Sequence, residues 1–289
     1  MIQKYLHPYF QPSFPQGKQP RLLSVSYSPA SFNKEHPRIL HRHPDAFELL
    51  LVTHGCGMYY LDTSYRAIKE GDLVFCNSGI LHDELSEKNH ELSFYSLRIA
   101  GFAFQDLPEN HLIPESMNPI LPLKAEYRTF RALFEELYRY ADPSRHLEEF
   151  CEHLSQALIV LAISLRYAEA SLPPKALPGK TVSAEWLYQV KHYIDAHYHE
   201  ELSLEQLASA FHLSPYHLSH AFKAAYALSP IQYLCRRRIG EAQSLLTTTA
   251  ASITEISGAV GFSDSNYFTA QFKKYVRMSP SEYRRVYAE

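Results

Sequence analysis

The chain has 289 residues, more than a single hydrophobic core usually holds, so we expect two domains. Its composition, 46% hydrophobic and 20% charged, excludes a mainly disordered protein. The net charge of −3 does not indicate nucleic-acid binding, so any DNA-binding surface has to come from where the basic residues lie.

Cysteine use and hydropathy favour a reducing, aqueous compartment. The four cysteines are far apart in the sequence and form no C-x-x-C pair, which argues against a zinc ribbon or a disulfide framework. The first ten residues lack the apolar core of a signal peptide, and the longest apolar run, ALIVLAISL at 157–165, is too short to cross a bilayer. The sequence therefore predicts a cytoplasmic protein that does not contact a membrane.

The N-terminal third of the chain is predicted to form short strands separated by turns. The clearest candidates are FELLLVTHG, GMYYLD, GDLVFCN and LSFYSLRIAG, at 47–55, 57–62, 71–77 and 92–101. A proline-rich extended segment, HPYFQPSFPQGKQP at 7–20, precedes them. It is interpreted either as a loose terminus or as an arm that closes over a ligand.

Two motifs in this region resemble those of the cupin fold, a small β-barrel or jelly roll. The first, H-x-H-x4-E-x6-G, begins at His41, and the second, G-x5-N-x-G-x2-H, ends at His82. Asn77 stands where the cupin motif usually has proline, and Ser86 where it usually has asparagine. In metal-binding cupins the matching positions are metal ligands, and the three imidazoles and one carboxylate would suit Fe, Mn, Ni or Zn. The resemblance therefore implies a candidate set of His41, His43, Glu48 and His82.

Several functions are open for such a barrel. Four alternatives are considered. The first is a sensor that binds a small molecule and the second is a metalloenzyme. The third is a barrel whose His and Glu residues only hydrogen-bond to other groups of the chain, and the fourth is a barrel used for dimerisation or for binding protein partners. We expect a sensor with no catalytic residues and no cofactor, although the four motif residues remain a candidate metal set. Alternation along a strand places some side chains inward, but the sequence does not determine the register. Further candidate ligand-binding residues on the predicted strands are Tyr60, Tyr95 and Arg98.

Two helices are expected after the strands, at 126–141 and 144–170. The second carries an apolar stripe at three- and four-residue spacing, formed by Leu147, Phe150, Cys151, Leu154, Leu158, Leu161 and Leu165. The stripe is explained by packing against the strands, by a helix–helix dimer seam, or by both. The segment SLPPKALPGKTVS at 171–183, with three prolines and little apolar periodicity, then predicts a linker.

The C-terminal part of the chain contains a duplicated segment. FHLSPYHLSHAFKAAYALSPIQYL at 211–234 and GFSDSNYFTAQFKKYVRMSPSEYR at 261–284 share a Phe-Lys pair and Ser-Pro-x-x-Tyr at a constant offset of fifty residues. Two copies are too few for a solenoid. The pattern is typical of a duplicated supersecondary unit.

Each copy carries the same helix signals. A serine followed three residues later by Gln or Glu predicts a capping box at Ser203 and at Ser252. After a tight turn, a second helix is predicted to begin at Ser214 in the first copy, and at Ser263 or Asp264 in the second. A short helix, a turn and a second capped helix make a helix-turn-helix.

The second helix of each copy has a polar face once its apolar residues are turned inward. In a helix-turn-helix the N-terminal part of this helix meets base edges in the major groove, and basic residues further along meet phosphates. The two helices are joined by PIQYLCRRRIGEAQSLL at 230–246, so together they fit two adjacent half-sites. The candidate DNA-binding residues are Tyr216, Ser219, His220 and Lys223 in the first copy, and Ser265, Asn266, Thr269, Ala270 and Lys273 in the second.

The segment from about residue 186 to 287 resembles the DNA-binding domain of the AraC/XylS family of transcription regulators. Its second copy is similar to the family signature almost residue for residue, and the resemblance implies seven helices with two helix-turn-helix units on a long connecting helix. Some positions depart from the family pattern. Ala227 and Arg277 stand where glycine is usual, Gly240 lies inside the connecting helix, and His220 and Ala270 replace longer basic residues.

These features predict a multi-domain fold. A cupin-like β-barrel or jelly roll with a helical dimerisation segment is expected at 1–170, a linker at 171–183, and an all-α domain at 184–289 with helix-turn-helix units at 203–225 and 252–275. The resemblance implies a transcription activator controlled by a small-molecule effector, with a carbohydrate as the expected class. The implied partners are double-stranded promoter DNA, the effector, a second copy of the chain and RNA polymerase. The alternative is a regulator of stress or virulence genes that senses a non-sugar ligand or a metal.

Overall fold

The structure, a computed structural model, describes residues 12–31, 39–61, 64–85, 91–170, 185–226 and 228–287. The predicted linker, the first part of the expected N-terminal arm, Ser86 and Ala227 lie outside these residues. Along the described chain, an antiparallel sheet domain, called the barrel, precedes two helices and then an all-α domain, called the helical domain. No helix in these ranges combines the length and apolar character needed to span a membrane.

Strand β2 is the centre of the barrel. The first part of β2 pairs with β4 and β6 and its second part with β3 and β5, always antiparallel. Side chains from both parts of β2 pack into one interior core, so a single strand contributes to two faces that enclose it. The strands are β1 (Arg21–Ser28), β2 (Phe47–Leu61), β3 (Ser64–Lys69), β4 (Asp72–Cys76), β5 (His82–Leu85), β6 (Leu92–Ala100) and β7 (Ile120–Pro122).

The strands predicted at 47–55 and 57–62 are one bent strand, which corrects the expectation of two. Gly55 lies at the bend with φ +78°, and a Cβ atom there would come within 1.5 Å of the carbonyl oxygen of Glu91. The pairing of β2 with β6 also shifts register between Val52 and His54. Only glycine satisfies both the left-handed conformation and the close approach.

The two sides of the sheet face different cores. Successive side chains of a strand point to opposite faces, so Leu49 and Leu51 pack beneath the helices while Leu50 and Val52 line the barrel interior. The covering helices are α1 (Tyr127–Tyr140) and α2 (Glu148–Ala170). Helix α2 begins later than the predicted residue 144 because residues 143–145 form a separate 3-10 turn.

The helical domain contains both predicted helix-turn-helix units. Helices α4 and α5 form the first, α7 and α8 form the second, and α6 connects them. The apolar residues expected to face inward, Leu218, Phe222, Phe268 and Phe272, are fully buried. Its described helices are α3 (Glu185–His197), α4 (Leu204–Ala210), α5 (Pro215–Tyr226), α6 (Pro230–Thr248), α7 (Ile253–Ala259), α8 (Ser265–Val276) and α9 (Pro280–Tyr287).

The helix starts follow the predicted capping residues. Ser203 and Ser252 both form complete capping boxes. Of the two candidates for α8, Asp264 is the cap, because its Oδ1 accepts from two backbone N–H groups at 2.7 and 2.8 Å. A further capping box at Ser229, which the sequence analysis missed, starts α6. These local contacts satisfy N–H groups that the helices leave without an internal partner.

Two departures from the family pattern have structural explanations. Arg277 ends α8 with φ +71°, the left-handed conformation that glycine adopts freely and that costs a residue with a Cβ about 1 kcal/mol. Gly240 lies inside α6, where a Cβ atom would come within 1.9 Å of the carbonyl oxygen of Leu40 in the barrel. Glycine inside a helix lowers its stability, but here the barrel approaches position 240 too closely for any side chain.

Candidate functional sites

The four motif residues of the barrel come together as one group, called the His/Glu cluster. His41, His43, Glu48 and His82 each offer one ligand atom, and these atoms all lie within 4.8 Å of one another. The ring centroids of His41 and His82 are 4.2 Å apart, and Glu48 Oε2 lies 2.9 Å from His82 Nε2. Backbone hydrogen bonds of 3.0 and 2.8 Å run in both directions between residues 41 and 82. The second motif is thereby tied to the first.

Burial and mutual charge determine the protonation of the cluster. Burial alone would raise the pKa of Glu48, but His82, His43 and the hydroxyl of Ser96 lower it well below its usual range. Burial alone would lower the pKa of His82, but Cys76 and Glu48 raise it well above its usual value. The pair therefore favours a carboxylate beside an imidazolium. Their facing atoms, Glu48 Oε2 and His82 Nε2, are buried and make no hydrogen bond of good geometry.

Backbone carbonyls orient two of the imidazoles. His41 Nδ1 lies 3.1 Å from the carbonyl oxygen of Ile39, and His82 Nδ1 lies 2.9 Å from that of Ile80. A metal ion would displace the proton from Nε2, and an imidazole that donates from Nδ1 then offers its Nε2 lone pair to the ion. Metal-binding histidines are commonly held by such contacts. The arrangement therefore fits a metal ion as well as a polar organic ligand.

Arg98 is the predicted residue that lies beside the cluster. It pairs with Glu48 across β2 and β6, and its Nε donates to Ser24 Oγ at 2.7 Å. Sequence reasoning missed two neighbours of the cluster. The Ser96 hydroxyl donates to Glu48 Oε1, and Cys76 Sγ lies 3.3 Å from His82 Nδ1. The two-residue period of β6, which places Ser96 on the same face as Arg98, was a signal for the first of them.

Tyr60 and Tyr95 do not lie with the His/Glu cluster. Tyr60 belongs to the core shared with the helical domain, and Tyr95 packs 5.9 Å from Phe134 beneath α1. Tyr59 takes the inner position instead, with its ring stacked 6.1 Å from that of His82. A shift of one residue exchanges the two faces of a strand. The register of β2, which the sequence left open, decides between Tyr59 and Tyr60.

Helices α5 and α8 each present a polar face to solvent, and the two are called the recognition faces. Tyr216 is 80% exposed, and the side chains of His220, Lys223, Asn266 and Lys273 are also exposed. Each face lies opposite the buried phenylalanines of its helix, as the 3.6-residue period requires. The recognition faces consist of Tyr216, Ser219, His220 and Lys223 on α5, and Ser265, Asn266, Thr269, Ala270 and Lys273 on α8.

Contacts within each helix determine which polar groups the recognition faces present to solvent. Thr269 Oγ1 donates to the carbonyl oxygen of Ser265 at 2.8 Å, so its hydroxyl is engaged within the helix. Tyr216 stacks on His220 with their rings 6.1 Å apart. Tyr267, which the sequence analysis did not single out, is exposed near the start of α8 and extends the face there.

Arg237 and Arg238, at the start of α6, stabilise the helical domain rather than extend its recognition faces. Arg237 is fully buried and its Nη1 donates to Glu241 at 2.8 Å. Arg238 donates to the carbonyl oxygens of Tyr198 and Glu200 at 2.7 and 2.6 Å. Such contacts offset part of the cost of burying these charged groups, and the Nε and Nη2 atoms of Arg237 stay buried without a hydrogen bond.

Comparisons with known proteins identify both halves of the chain. Residues 207–286 match the sequence model of a helix-turn-helix domain, and residues 31–161 match that of an AraC-like ligand binding domain. The chain is 29% identical over 275 residues to the uncharacterized HTH-type transcriptional regulator YdiP of Escherichia coli K12, covering 95% of this chain and 89% of that one. It is 28% identical over 276 residues to the HTH-type transcriptional activator RhaS of Enterobacter sp. 638, covering 94% of each.

A solved structure of the DNA-binding domain of AdpA in complex with a target DNA matches 36% of this chain and 94% of its own, with 29% identity and a TM-score of 0.35. The two sequence models fall on the barrel with its helices and on the helical domain. The relatives YdiP and RhaS, matched over most of their length, are named as transcriptional regulators. Together the two matched regions make the chain an AraC-family DNA-binding transcription regulator, with an N-terminal cupin-like ligand-binding domain and a C-terminal helix-turn-helix domain.

Proposed function

We propose that the protein is a cytoplasmic transcription activator that reads two adjacent half-sites under control of a small molecule bound in the barrel. The domain boundaries inferred from the sequence are part of this proposal: sensing and dimerisation at 1–170, a linker at 171–183, and DNA binding at 184–289 with units at 203–225 and 252–275. The relative RhaS, named as an activator, supports the sign of regulation. An activator also implies RNA polymerase as a partner.

The exposure of both recognition faces carries the proposal for DNA reading. Helix α6 has 19 residues and spans about 28 Å at a rise of 1.5 Å per residue. Successive major grooves on one side of B-DNA lie about 34 Å apart, a comparable distance. In this arrangement the amide of Asn266 suits adenine, whereas Lys223 and Lys273 suit phosphates.

Asn266→Ala should weaken binding at one of the two elements by about 1–3 kcal/mol, roughly 5- to 150-fold, and relax its base preference. His220→Ala should act on the other element. Selection of the full-length protein on a random duplex library, followed by competition at several salt concentrations, measures both effects. Ser281→Ala, at an exposed serine on α9, is the matched control. A uniform loss of affinity for all sequences would contradict the assigned face.

For the effector, we propose a carbohydrate bound beside the His/Glu cluster. Glu48, Ser96 and Arg98 lie together on β2 and β6 and supply carboxylate, hydroxyl and guanidinium groups that suit sugar hydroxyls. Apolar side chains of the interior core adjoin them. A few polar groups in a mainly apolar pocket are typical of small-molecule sites.

A metal ion is the second candidate effector, favoured by the close approach of four ligand atoms in the His/Glu cluster. The buried atoms Glu48 Oε2 and His82 Nε2, which lack a well-formed hydrogen bond, fit such an ion. His41, His43, Glu48 and His82 would hold it and would thereby tie β2, β5 and the segment at 41–43 together. The donor set suits Fe, Mn, Ni or Zn.

Treatment with a chelator should leave the melting temperature of the full-length protein unchanged, because the proposed effector is a sugar. One member of a sugar panel should then raise it, since a ligand at 100 times its Kd stabilises by about 2.7 kcal/mol. Arg98→Met should remove that response. The metal candidate predicts the opposite result: about one equivalent of metal per chain, a lower melting temperature after chelation, and no bound metal in His82→Gln.

We further propose that two copies of the chain dimerise through α2. Of the predicted apolar stripe, the proposed contact face keeps only residues that are exposed or half-buried. Cys151 and Leu158 are buried against the sheet and belong to the domain core. Leu147 and Phe150 are 37% and 47% exposed. They begin an uncharged heptad series, exposed or half-buried throughout, that consists of Leu147, Phe150, Leu154, Ala157, Leu161, Ser164 and Ala168. Such a series is the pattern of a two-helix coiled coil.

A further inference from the structure

Helix α6 of the helical domain lies directly against the backbone of the barrel. A Cβ atom at Gly240 would come within 1.9 Å of the carbonyl oxygen of Leu40 and 2.9 Å of that of Ile39. The backbone N–H of Ile39 donates to Gln243 Oε1 at 2.9 Å, and both groups are buried. The contact requires glycine at position 240 of α6, and it fixes the position of the barrel backbone at residues 39 and 40.

A buried ion pair lies in the same interface. Arg236 on α6 contacts Asp83 on β5, and their side chains are only 11% and 1% exposed. Tyr60 and Leu81 of the barrel pack in one core with the apolar residues of the helical domain. An ion pair removed from water is sensitive to geometry, because neither charge can be left there without its partner.

Each barrel residue in these contacts is next in sequence to a residue whose side chain faces the barrel interior. Leu40 precedes His41, Tyr60 follows Tyr59, and Asp83 follows His82. Because side chains alternate along extended backbone, one residue of each pair faces the cluster and the other faces the helical domain. The three segments are also joined to each other: residue 41 hydrogen-bonds to residue 82, and β2 pairs with β5 across Tyr60 and Asp83.

We propose that the segments 39–41, 59–60 and 82–83 form a docking wall, which holds α6 on its outer side and couples the position of the helical domain to the geometry of the His/Glu cluster on its inner side. This inference rests on the proposed function for its consequence in DNA binding. The recognition faces stay exposed in the docked arrangement, so docking does not mask them. It fixes the orientation of the helical domain, and in a dimer it fixes the separation of the two DNA-binding units.

Gly240→Ala tests the docking without substituting any residue of the cluster or of the recognition faces. Alanine favours a helix over glycine, so α6 itself is retained, whereas the barrel can no longer approach. Gly258→Ala is the matched control, since this glycine of α7 has no heavy atom near its missing Cβ. Small-angle X-ray scattering of the full-length protein should give a larger radius of gyration for Gly240→Ala and an unchanged one for Gly258→Ala. An unchanged radius for Gly240→Ala would overturn the docking wall.

The coupling has its own readout, which needs no ligand. In NMR spectra of the full-length protein, assigned with His41→Gln and His82→Gln, the imidazole signals of His41 and His82 should move in Gly240→Ala and stay in place in Gly258→Ala. Linked equilibria are reciprocal, so a change on the outer side has to appear on the inner side. A larger radius of gyration with unmoved imidazole signals would retain the docking and overturn the coupling.

Measurements of DNA binding distinguish a failure of this inference from a failure of the proposed function. On duplexes that carry two selected sites at different separations, the wild-type protein should prefer one separation by about 5- to 150-fold, the usual range of an allosteric coupling. Gly240→Ala should bind all separations within about threefold of each other and keep the same selected sequence. Loss of all sequence preference in the wild-type protein would contradict the proposed function, whereas an unchanged spacing preference in Gly240→Ala would contradict the docking wall alone.

Discussion

Replacing Phe272 by alanine should lower the free energy of unfolding by about 3–5 kcal/mol, whereas replacing its neighbour Lys273 should change it by less than about 0.5 kcal/mol. The ring of Phe272 is fully buried and lies 5.7 Å from that of Phe268 and 5.6 Å from that of Tyr283. Its loss would leave a cavity between α8 and α9. The side chain of Lys273 is exposed, since consecutive residues of a helix point about 100° apart.

The same two substitutions should affect DNA binding differently. Lys273→Ala removes one proposed phosphate contact. The slope of log affinity against log salt concentration should therefore become shallower by about one, while base preference is retained. Phe272→Ala should weaken binding through loss of the folded second unit. Urea unfolding followed by fluorescence of Trp186, the single tryptophan, measures stability in the helical domain. Phe272→Leu, which keeps most of the volume, should lose less than about 1.5 kcal/mol.

The prediction is wrong if Lys273→Ala destabilises the protein as much as Phe272→Ala does. It is also wrong if the salt dependence of Lys273→Ala equals that of the wild-type protein, because the exposed face of α8 would then lie away from phosphates. The first copy offers an internal repeat of the test, since Phe222 packs 5.7 Å from Tyr233 and is followed by the exposed Lys223.

The duplicated Phe-Lys pair shows why the helical domain could be predicted well from the sequence. Caps such as Ser203 and Ser252 act on N–H groups three residues away, and the buried phenylalanines follow a period of 3.6 residues. Both signals are local, so they are readable without knowledge of the rest of the fold. The second recognition face needed one refinement, because Asp264 rather than Ser263 caps α8.

The barrel was less predictable because its site depends on register and long-range contacts. The motifs indicated His41 and His82, but no local signal distinguished Tyr59 from Tyr60, since a shift of one residue exchanges the two faces of a strand. The role of Gly240 was hidden for a related reason. Its constraint comes from Leu40, 200 positions earlier in the chain.

The arginines of α6 also show that the contacts of charged residues cannot be predicted from the local sequence. The sequence shows a run of three basic residues at 236–238, at the start of the connecting helix, but gives no indication of which groups they contact. In the structure these residues contact Asp83, Glu241 and backbone carbonyls of the helical domain. The run therefore stabilises interfaces within the chain, and the proposed phosphate contacts come from Lys223 and Lys273 on the recognition faces.

Ala157→Glu should convert the proposed dimer to a monomer and lower affinity for a duplex with two operator sites by about 10²- to 10⁴-fold. Ala157 is exposed at the middle of the heptad series on α2, so its side chain does not contribute to the domain core. A carboxylate at this position in both copies would place two like charges in an apolar seam. Affinity for a duplex with a single site should remain unchanged, because each chain keeps its own recognition faces.

Sedimentation equilibrium and titration of the two duplexes measure these effects on full-length protein. Thr129→Glu is the matched control, since it adds the same charge at an exposed position of α1 outside the heptad series, and it should remain a dimer. A dimeric Ala157→Glu protein would place the subunit contact elsewhere than on α2. A monomeric protein that still binds two sites as tightly as the wild type would show that the operator is read by independent chains, because avidity requires the two units to be joined.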